Sequence, residues 1–255
     1  MLKMDIDAMI KEHYDIEKLK RAFRENDPKA MPEGIFRVTA GKGGDSFLVT
    51  KYEKTFLFDT GMSYCGDKLV RNIREAIGGR ALDYVVLSHT HYDHVGALPY
   101  VRKAFPEAKV MGSAYGQYVM TRPGALKMML KLGRNAEEMF GEPGQDKCTV
   151  EGMKIDEALA DGETIDLGLE YGKPDGEAGM ITAYEAKGHT DCSMMYMLRP
   201  DDLLFASEST GVVVDWDINE VAILKSVEDS MKSLAKGREL HPERIIVPHF
   251  GITPM

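Results

Sequence analysis

The sequence predicts an α/β layered fold, on three observations. Segments with strand-like composition alternate with segments of helical period along the chain. The run Tyr84-Val85-Val86-Leu87 is apolar throughout, which suits a strand covered on both faces. A chain of 255 residues can bury one sizeable core and its composition asks for no division, so a single domain over residues 1–255 is expected.

Residues 1–34 carry Ile6, Met9, Ile10, Ile16, Leu19 and Phe23 at roughly helical spacing, which predicts an N-terminal helical arm ending before the turn-rich Asn26-Asp27-Pro28. Short β-branched-rich segments at 35–39, 46–51 and 55–59, separated by Gly-, Asp- and Lys-rich turns, read as consecutive strands. A helix is expected over 66–77, ended by Gly78-Gly79, then a strand over 84–87 and a second helix over 94–104. Residues 120–145 hold a Met- and Lys-rich helical stretch with the character of an insertion, interrupted at Pro123-Gly124 and at Gly133. Its Met128, Met129, Leu130, Leu132 and Met139 are expected to pack in the core, methionine being a common gap filler. Strands are predicted at 163–169, 181–186, 194–198 and 203–206, then a helix over 221–237 and the apolar run Ile245-Ile246-Val247.

With 44% hydrophobic and 29% charged residues the chain belongs among ordinary globular proteins, and no apolar run reaches the roughly 18 residues of a membrane span. Asp5, Asp7 and Glu12 break up the amino terminus, which lacks the basic start and apolar block of a secretory signal; a cytoplasmic location is expected. The three cysteines, Cys65, Cys148 and Cys192, are widely spaced and suggest neither a disulfide framework nor a metal knuckle. A net charge of −9 opposes nucleic acid and anionic lipid, so the expected partner is a small-molecule substrate, with no nucleic acid and no membrane.

The chemistry concentrates in Ser88-His89-Thr90-His91-Tyr92-Asp93-His94, where four potential metal ligands fall within six residues directly after an apolar strand. His89 and His91, two apart in extended backbone, project to one side. Asp93 and His94 then open a helix, whose unpaired amides also favour an acidic residue. A capping role would account for Asp93 alone and leave three clustered imidazoles without a purpose.

This segment resembles the signature of the metallo-β-lactamase superfamily, H-x-H-x-D-H after a strand, followed by a distant histidine, an acidic bridge and a final histidine. Gly188-His189-Thr190-Asp191-Cys192-Ser193 is similar to the family's G-H-T-x-x-S turn, and Leu204-Phe205-Ala206-Ser207-Glu208 to its strand ending in an acidic ligand. Val247-Pro248-His249 resembles the strand that brings the last histidine, and Phe58-Asp59-Thr60-Gly61 the strand that ends in D-T-G. The resemblance implies a four-layer αββα sandwich of two mixed β-sheets, with the site at one edge. By the same resemblance His89, His91 and His189 hold one metal, Asp93, His94 and His249 the other, and Glu208 bridges them. The family usually has Asp at the bridge, with Gly before it where this chain has Ser207. The longer Glu208 must be absorbed by a backbone displacement or a changed binding mode. Asp59 would orient a ligand histidine through its second ring nitrogen or support the loop, and a plain turn role also fits it. The remaining histidines, His13 and His241, are read as surface or structural.

Two divalent ions, zinc first and iron or manganese as alternatives, would share a water whose pKa falls from about 15.7 to roughly neutral. The expected function is therefore dinuclear metal-dependent hydrolysis by a metal-bridging hydroxide on a small-molecule ester, thioester or lactone, with Asp93 also accepting a proton. The alternatives are a phosphodiesterase and a di-iron redox or oxygen-binding protein of the flavodiiron type, although that branch has Glu where this chain has His91. Only six residues follow His249, so the 120–145 stretch, or a neighbouring subunit of a homo-oligomer, is expected to cover the pocket.

Overall fold

The computed structural model describes residues 31–142, 147–215, 218–220, 222–249 and 251–254, so the arm expected over 1–34 falls almost wholly outside the described residues. Two six-stranded sheets form the centre. The first runs in spatial order β1 (Ile35–Arg37), β2 (Phe47–Val49), β3 (Phe56–Phe58), β4 (Tyr84–Val86), β5 (Lys109–Ser113) and β6 (Glu157–Leu159). Its first two pairings are antiparallel and the rest parallel. The second holds β7 (Thr164–Leu169), β8 (Ala178–Glu185), β9 (Met194–Arg199) and β10 (Leu203–Phe205). After a separate hairpin of β11 (Val212–Asp215) and β12 (Ile218–Glu220), the chain returns to that sheet as β13 (Arg244–Val247) and β14 (Gly251–Pro254). Only the β10–β13 pairing is parallel there, so both sheets are mixed.

The period of two along each strand sorts side chains into layers. Phe47, Val49, Phe56 and Phe58 face the second sheet and bury against Tyr196, Leu198 and Phe205, with the Phe56 and Phe205 rings edge to face at 5.4 Å. Leu48, Leu57 and Val85 face the other way, onto Leu69, Ile73 and Ile77 of α1 (Gly66–Ile77) and onto Leu98 and Val101. Behind the second sheet, Met195 and Met197 of β9 and Leu204 of β10 form a further core with Leu240. Helices thus cover both outer faces, giving the αββα order. Strands covered on both faces are apolar at every position, as Phe47-Leu48-Val49 and Phe56-Leu57-Phe58 are.

Helix α1 ends where its glycine signal places it, with Gly78 left-handed at φ 62°. The helix expected over 94–104 is instead two, α2 (Tyr92–Val95) and α3 (Leu98–Ala104). Pro99 cannot donate to the Val95 carbonyl, and Gly96 is pressed so closely on the Ser63 amide that a Cβ would lie 2.5 Å from it. Next come β5 and the short α4 (Ala114–Val119), capped by Ser113 Oγ; neither has a period long enough to be read from sequence.

Of the interruptions expected in the 120–145 stretch, the one at Pro123-Gly124 is present, since residues 120–121 form a turn and α5 (Pro123–Phe140) begins at Pro123, whereas the one at Gly133 is absent because α5 runs through it. Pro123 occupies the first turn, where its missing N–H costs nothing, and Gly133 sits in the buried face beside Cys148. That face holds Met129, Gly133, Ala136 and Glu137. Leu130 and Leu132 are half-buried, but Met128 and Met139 lie off this stripe at 54% and 67% exposure, so these two are not core residues. Finally α6 (Val227–Glu239) begins six residues later than expected, capped by Ser226 Oγ. No helix among the described residues is long and apolar enough to cross a membrane.

Candidate metal centre

Parallel registers deliver the chemistry to one edge. Phe205 of β10 pairs with Ile246 of β13, so Glu208 and His249, each three residues further on, leave the sheet together; Glu208 Oε1 lies 2.7 Å from His249 Nε2. In the other sheet Phe58 pairs with Val86, which sets Asp59 beside Ser88. His89, His91, Asp93 and His94 follow as the chain leaves β4. His189 stands on the turn joining β8 to β9, closed by Ala186 N–H to Ser193 O at 2.8 Å. The sheets are tied beside it by Met194 N–H to Ser88 O, 2.7 Å.

All seven sequence-predicted donors converge in two groups sharing one residue: His89, His91, His189 and Glu208, and Asp93, His94, Glu208 and His249, each with ligand atoms within 4.8 Å of one another. Glu208 turns one oxygen to each side. Oε2 is 2.7 Å from His189 Nε2, and Oε1 is 2.9 Å from His94 Nε2. Glu208 opens a short 3-10 turn, Glu208–Thr210, capped by the buried Ser207. Asp93 Oδ2 stands 3.6 Å from His94 Nε2 and 3.7 Å from His249 Nε2.

The donor set fits divalent cations. His91 Nδ1 faces His89 Nε2 and His189 Nε2 at 3.0 Å each, and a single proton can satisfy only one of those contacts. A cation would satisfy all three lone pairs. Burial and the neighbouring imidazoles hold His89 well below its ordinary pKa, and burial with His189 brings His91 down to about 4. Both are thus neutral with lone pairs available at pH 7. Burial works against charge on Glu208, but hydrogen bonds from His189, His249 and His94 outweigh it and hold the carboxyl well below the usual range. His94 is raised, because Asp93, Asp59 and Glu208 overcome its burial.

The second ring nitrogens are anchored in turn. Asp59 Oδ2 is 2.9 Å from His94 Nδ1, while Oδ1 accepts Ser88 N–H at 2.7 Å and Oδ2 accepts Ser88 Oγ–H at 2.6 Å. The fully buried Asp59 therefore both orients a histidine and supports the loop, from a left-handed backbone at φ 54°. His89 Nδ1 is 2.9 Å from Ser88 Oγ, and His189 Nδ1 is 2.5 Å from the Ala222 carbonyl. Lys225 and Ser226 amides bond the Gly188 carbonyl, so residues 222–226 clasp the His189 turn, which is why α6 starts late. Sequence reasoning missed Ser88, Ser209 (whose Oγ accepts His189 N–H at 3.1 Å) and Ala222. Ser88 alone had a signal, its place in the motif. His241, by contrast, is exposed at the end of α6, away from the two groups.

A mixed-sheet αββα sandwich thus carries clustered imidazoles and carboxylates at one edge, in two groups that could hold metal ions. The family model of the metallo-β-lactamase superfamily matches residues 40–249, and the chain belongs to that superfamily. A metallo-β-lactamase fold-containing protein of Sulfurisphaera tokodaii is 25% identical over 204 residues, covering 74% of this chain and 71% of that protein. The crystal structure of an archaeal superfamily protein from Sulfolobus tokodaii superposes with a TM-score of 0.60 at 22% identity, over 88% of this chain and 82% of that one. The anaerobic nitric oxide reductase flavorubredoxin of Aliivibrio salmonicida is 32% identical over 176 residues, which is 69% of this chain but 29% of that protein.

Proposed function

We propose that this chain is a dinuclear metal-dependent hydrolase of a small-molecule ester, thioester or lactone. The observation that carries the proposal is Glu208, which presents one carboxylate oxygen to each of two donor groups. His89, His91 and His189 would hold one ion, Asp93, His94 and His249 the other, and Glu208 both. Bound there, two divalent ions supply Lewis acidity toward a substrate carbonyl oxygen and acidify a water at neutral pH. Asp59, Ser88 and the Ala222 carbonyl keep the imidazoles aimed inward. Asp93, whose side chain keeps 18% exposure, is the carboxylate placed to take up a proton as water attacks. Zinc suits the five imidazoles and two carboxylates without redox chemistry, and iron or manganese accept the same donors. Cys65, Cys148 and Cys192 are buried thiols that form no disulfide, which suits a reducing cytoplasm.

A second reading, a di-iron redox centre, is favoured by the likeness to the flavorubredoxin of Aliivibrio salmonicida. Against it stands His91, where the flavodiiron branch carries Glu. Elemental analysis of protein purified without added metal, with an optical spectrum of the same sample, separates the two. Two zinc ions per chain, followed by turnover in a screen of thioesters, lactones and esters, is the expected result. Two irons with an oxygen-sensitive spectrum and no turnover would replace the hydrolase with the redox reading.

A further inference from the structure

The β1–β2 connection, residues 38–46, reaches the centre from outside the loops that bear its donors. It is closed at its base by Val38 N–H to Ser46 O (2.9 Å) and by Ser46 N–H to Thr39 Oγ1 (3.0 Å). From its far end two successive amides leave it. Gly44 N–H donates to the Asp93 carbonyl at 3.1 Å, and Asp45 N–H to the Pro248 carbonyl, directly before His249, at 2.7 Å. Gly44 also lies against the His94 ring, where a Cβ would come within 2.8 Å of Nδ1 and Cε1 and within 2.6 Å of the Asp93 carbonyl oxygen. These contacts fall on Asp93, His94 and the His249 segment, the unshared donors of one group. Among the described residues this loop makes no hydrogen bond to His89, His91 or His189; His89 is held instead by Ser88, and His189 by Ser209 and Ala222.

The loop is fixed by a buried charge. Asp45 is 1% exposed, and its Oδ1 accepts from Arg37 Nε at 2.9 Å, from the terminal Nη2 at 2.6 Å and from Thr39 Oγ1 at 2.8 Å. A short turn needs no buried carboxylate, and burying one is costly unless it is paired. Pairing to Arg37, on β1, locks the Asp45 backbone at the point where its amide meets Pro248.

We propose that Asp45, clamped by Arg37 and Thr39, is a positioning residue that sets the metal affinity of the Asp93–His94–His249 group independently of the other group. The proposal rests on reading the two groups as metal sites. The test is a Zn²⁺ titration of the stripped full-length chain in metal buffers, following the histidine ring ¹⁵N signals so that each group is read separately. In Asp45→Asn, filling at His94 and His249 should require at least 10-fold more free Zn²⁺, while filling at His89, His91 and His189 stays within 2-fold of the unsubstituted chain. Arg37→Lys, which keeps the charge but not both guanidinium contacts, should cause a smaller loss confined to the same group. If Asp45→Asn does not fold, as judged by its thermal melt, the isosteric Thr39→Val carries the same test, with a loss of a few-fold confined to the same group. Equal weakening of both groups, or of neither, overturns the positioning role and leaves the metal reading standing. An unsubstituted chain that takes up no Zn²⁺ at either group overturns both.

Discussion

Glu208 faces three imidazoles with two oxygens, and its ionised form is what those three hydrogen bonds favour. Glu208→Gln keeps the shape but replaces an anionic acceptor by a neutral amide, one end of which can only donate. Occupancy of both groups should fall by about 10–100-fold, the range seen when ligand supports are lost, with hydrolysis nearly abolished. Metal content and turnover on the same preparation check this, and full content with normal turnover would remove Glu208 from the bridge. His241→Ala is the control. That side chain is exposed and its backbone is left-handed at φ 49°, so metal content should be unaltered; loss of metal in a folded variant would refute the donor assignment.

At the scale of elements, two glycines of similar appearance differ in what surrounds them. A Cβ at Gly96 would meet the Ser63 amide nitrogen at 2.5 Å and the Gly61 carbonyl oxygen at 2.9 Å, and backbone cannot swing aside. Gly96→Ala should cost about 2 kcal/mol or more by overpacking. At Gly133 the nearest atom to a Cβ is Cys148 Sγ at 3.4 Å, an ordinary contact, so Gly133→Ala should gain up to about 1 kcal/mol from helix propensity. Denaturant melts of the two variants settle both signs. The proposed cover is tested on the same helix. Removing α5 would uncover its packed face, so the informative change is Met128, Met139 and Phe140 together to Ser, all three exposed. A raised KM with unchanged metal content supports a covering role, and unchanged kinetics sinks it.

Asp156 ties α3 to β5, accepting from Arg102 at 2.7 and 3.1 Å and from the Val110 amide at 3.0 Å. Desolvation pushes its carboxyl up, but Arg102, the Val110 amide and Lys154 prevail and bring it from 3.8 to about 2. A depressed folded pKa stabilises the fold above the unfolded value and loses that contribution as pH falls through the folded one. Asp156→Asn should therefore cost about 1 kcal/mol at neutral pH, discounted for solvent exposure, and the gap between the two melting curves should close between about pH 4 and pH 2. A gap that persists at pH 2 would place the effect elsewhere.

For the whole molecule, the two sheets are joined at the edge bearing the donor groups by Met194 N–H to Ser88 O, Asp45 N–H to Pro248 O at 2.7 Å, Ser113 Oγ–H to Cys192 O at 2.9 Å and the Tyr196 hydroxyl to the Leu87 carbonyl at 2.8 Å. Ions held jointly by His89, His91, Asp93 and His94 from the first sheet and by His189, Glu208 and His249 from the second would add a cross-sheet tie. Chelation should lower Tm, and metal in thousand-fold excess over Kd should restore about 4 kcal/mol per ion. An unchanged Tm on chelation of a metal-loaded sample would mean that the ions do not bridge the sheets.

The α/β class was legible in the residues, the αββα architecture followed from the resemblance, and the seven side chains expected as metal donors are those that converge in the two groups. Apolar strand runs mark full burial, and imidazoles clustered within six residues have no cheaper explanation than a shared cation. Local signals also placed the end of α1, because a left-handed cap favours glycine. What the chain could not announce was decided by contacts between distant segments. The two-part helix at Gly96, the unbroken α5 with its exposed Met128 and Met139, and the late start of α6 each follow from a neighbour far away in sequence. Likewise Ser88, Ala222 and the Gly44–Asp45 loop act through backbone amides, carbonyls or a hydroxyl that many sequences could supply. The parallel registers Phe58–Val86 and Phe205–Ile246 then set Ser88 beside Asp59 and Glu208 beside His249, which no local signal specifies.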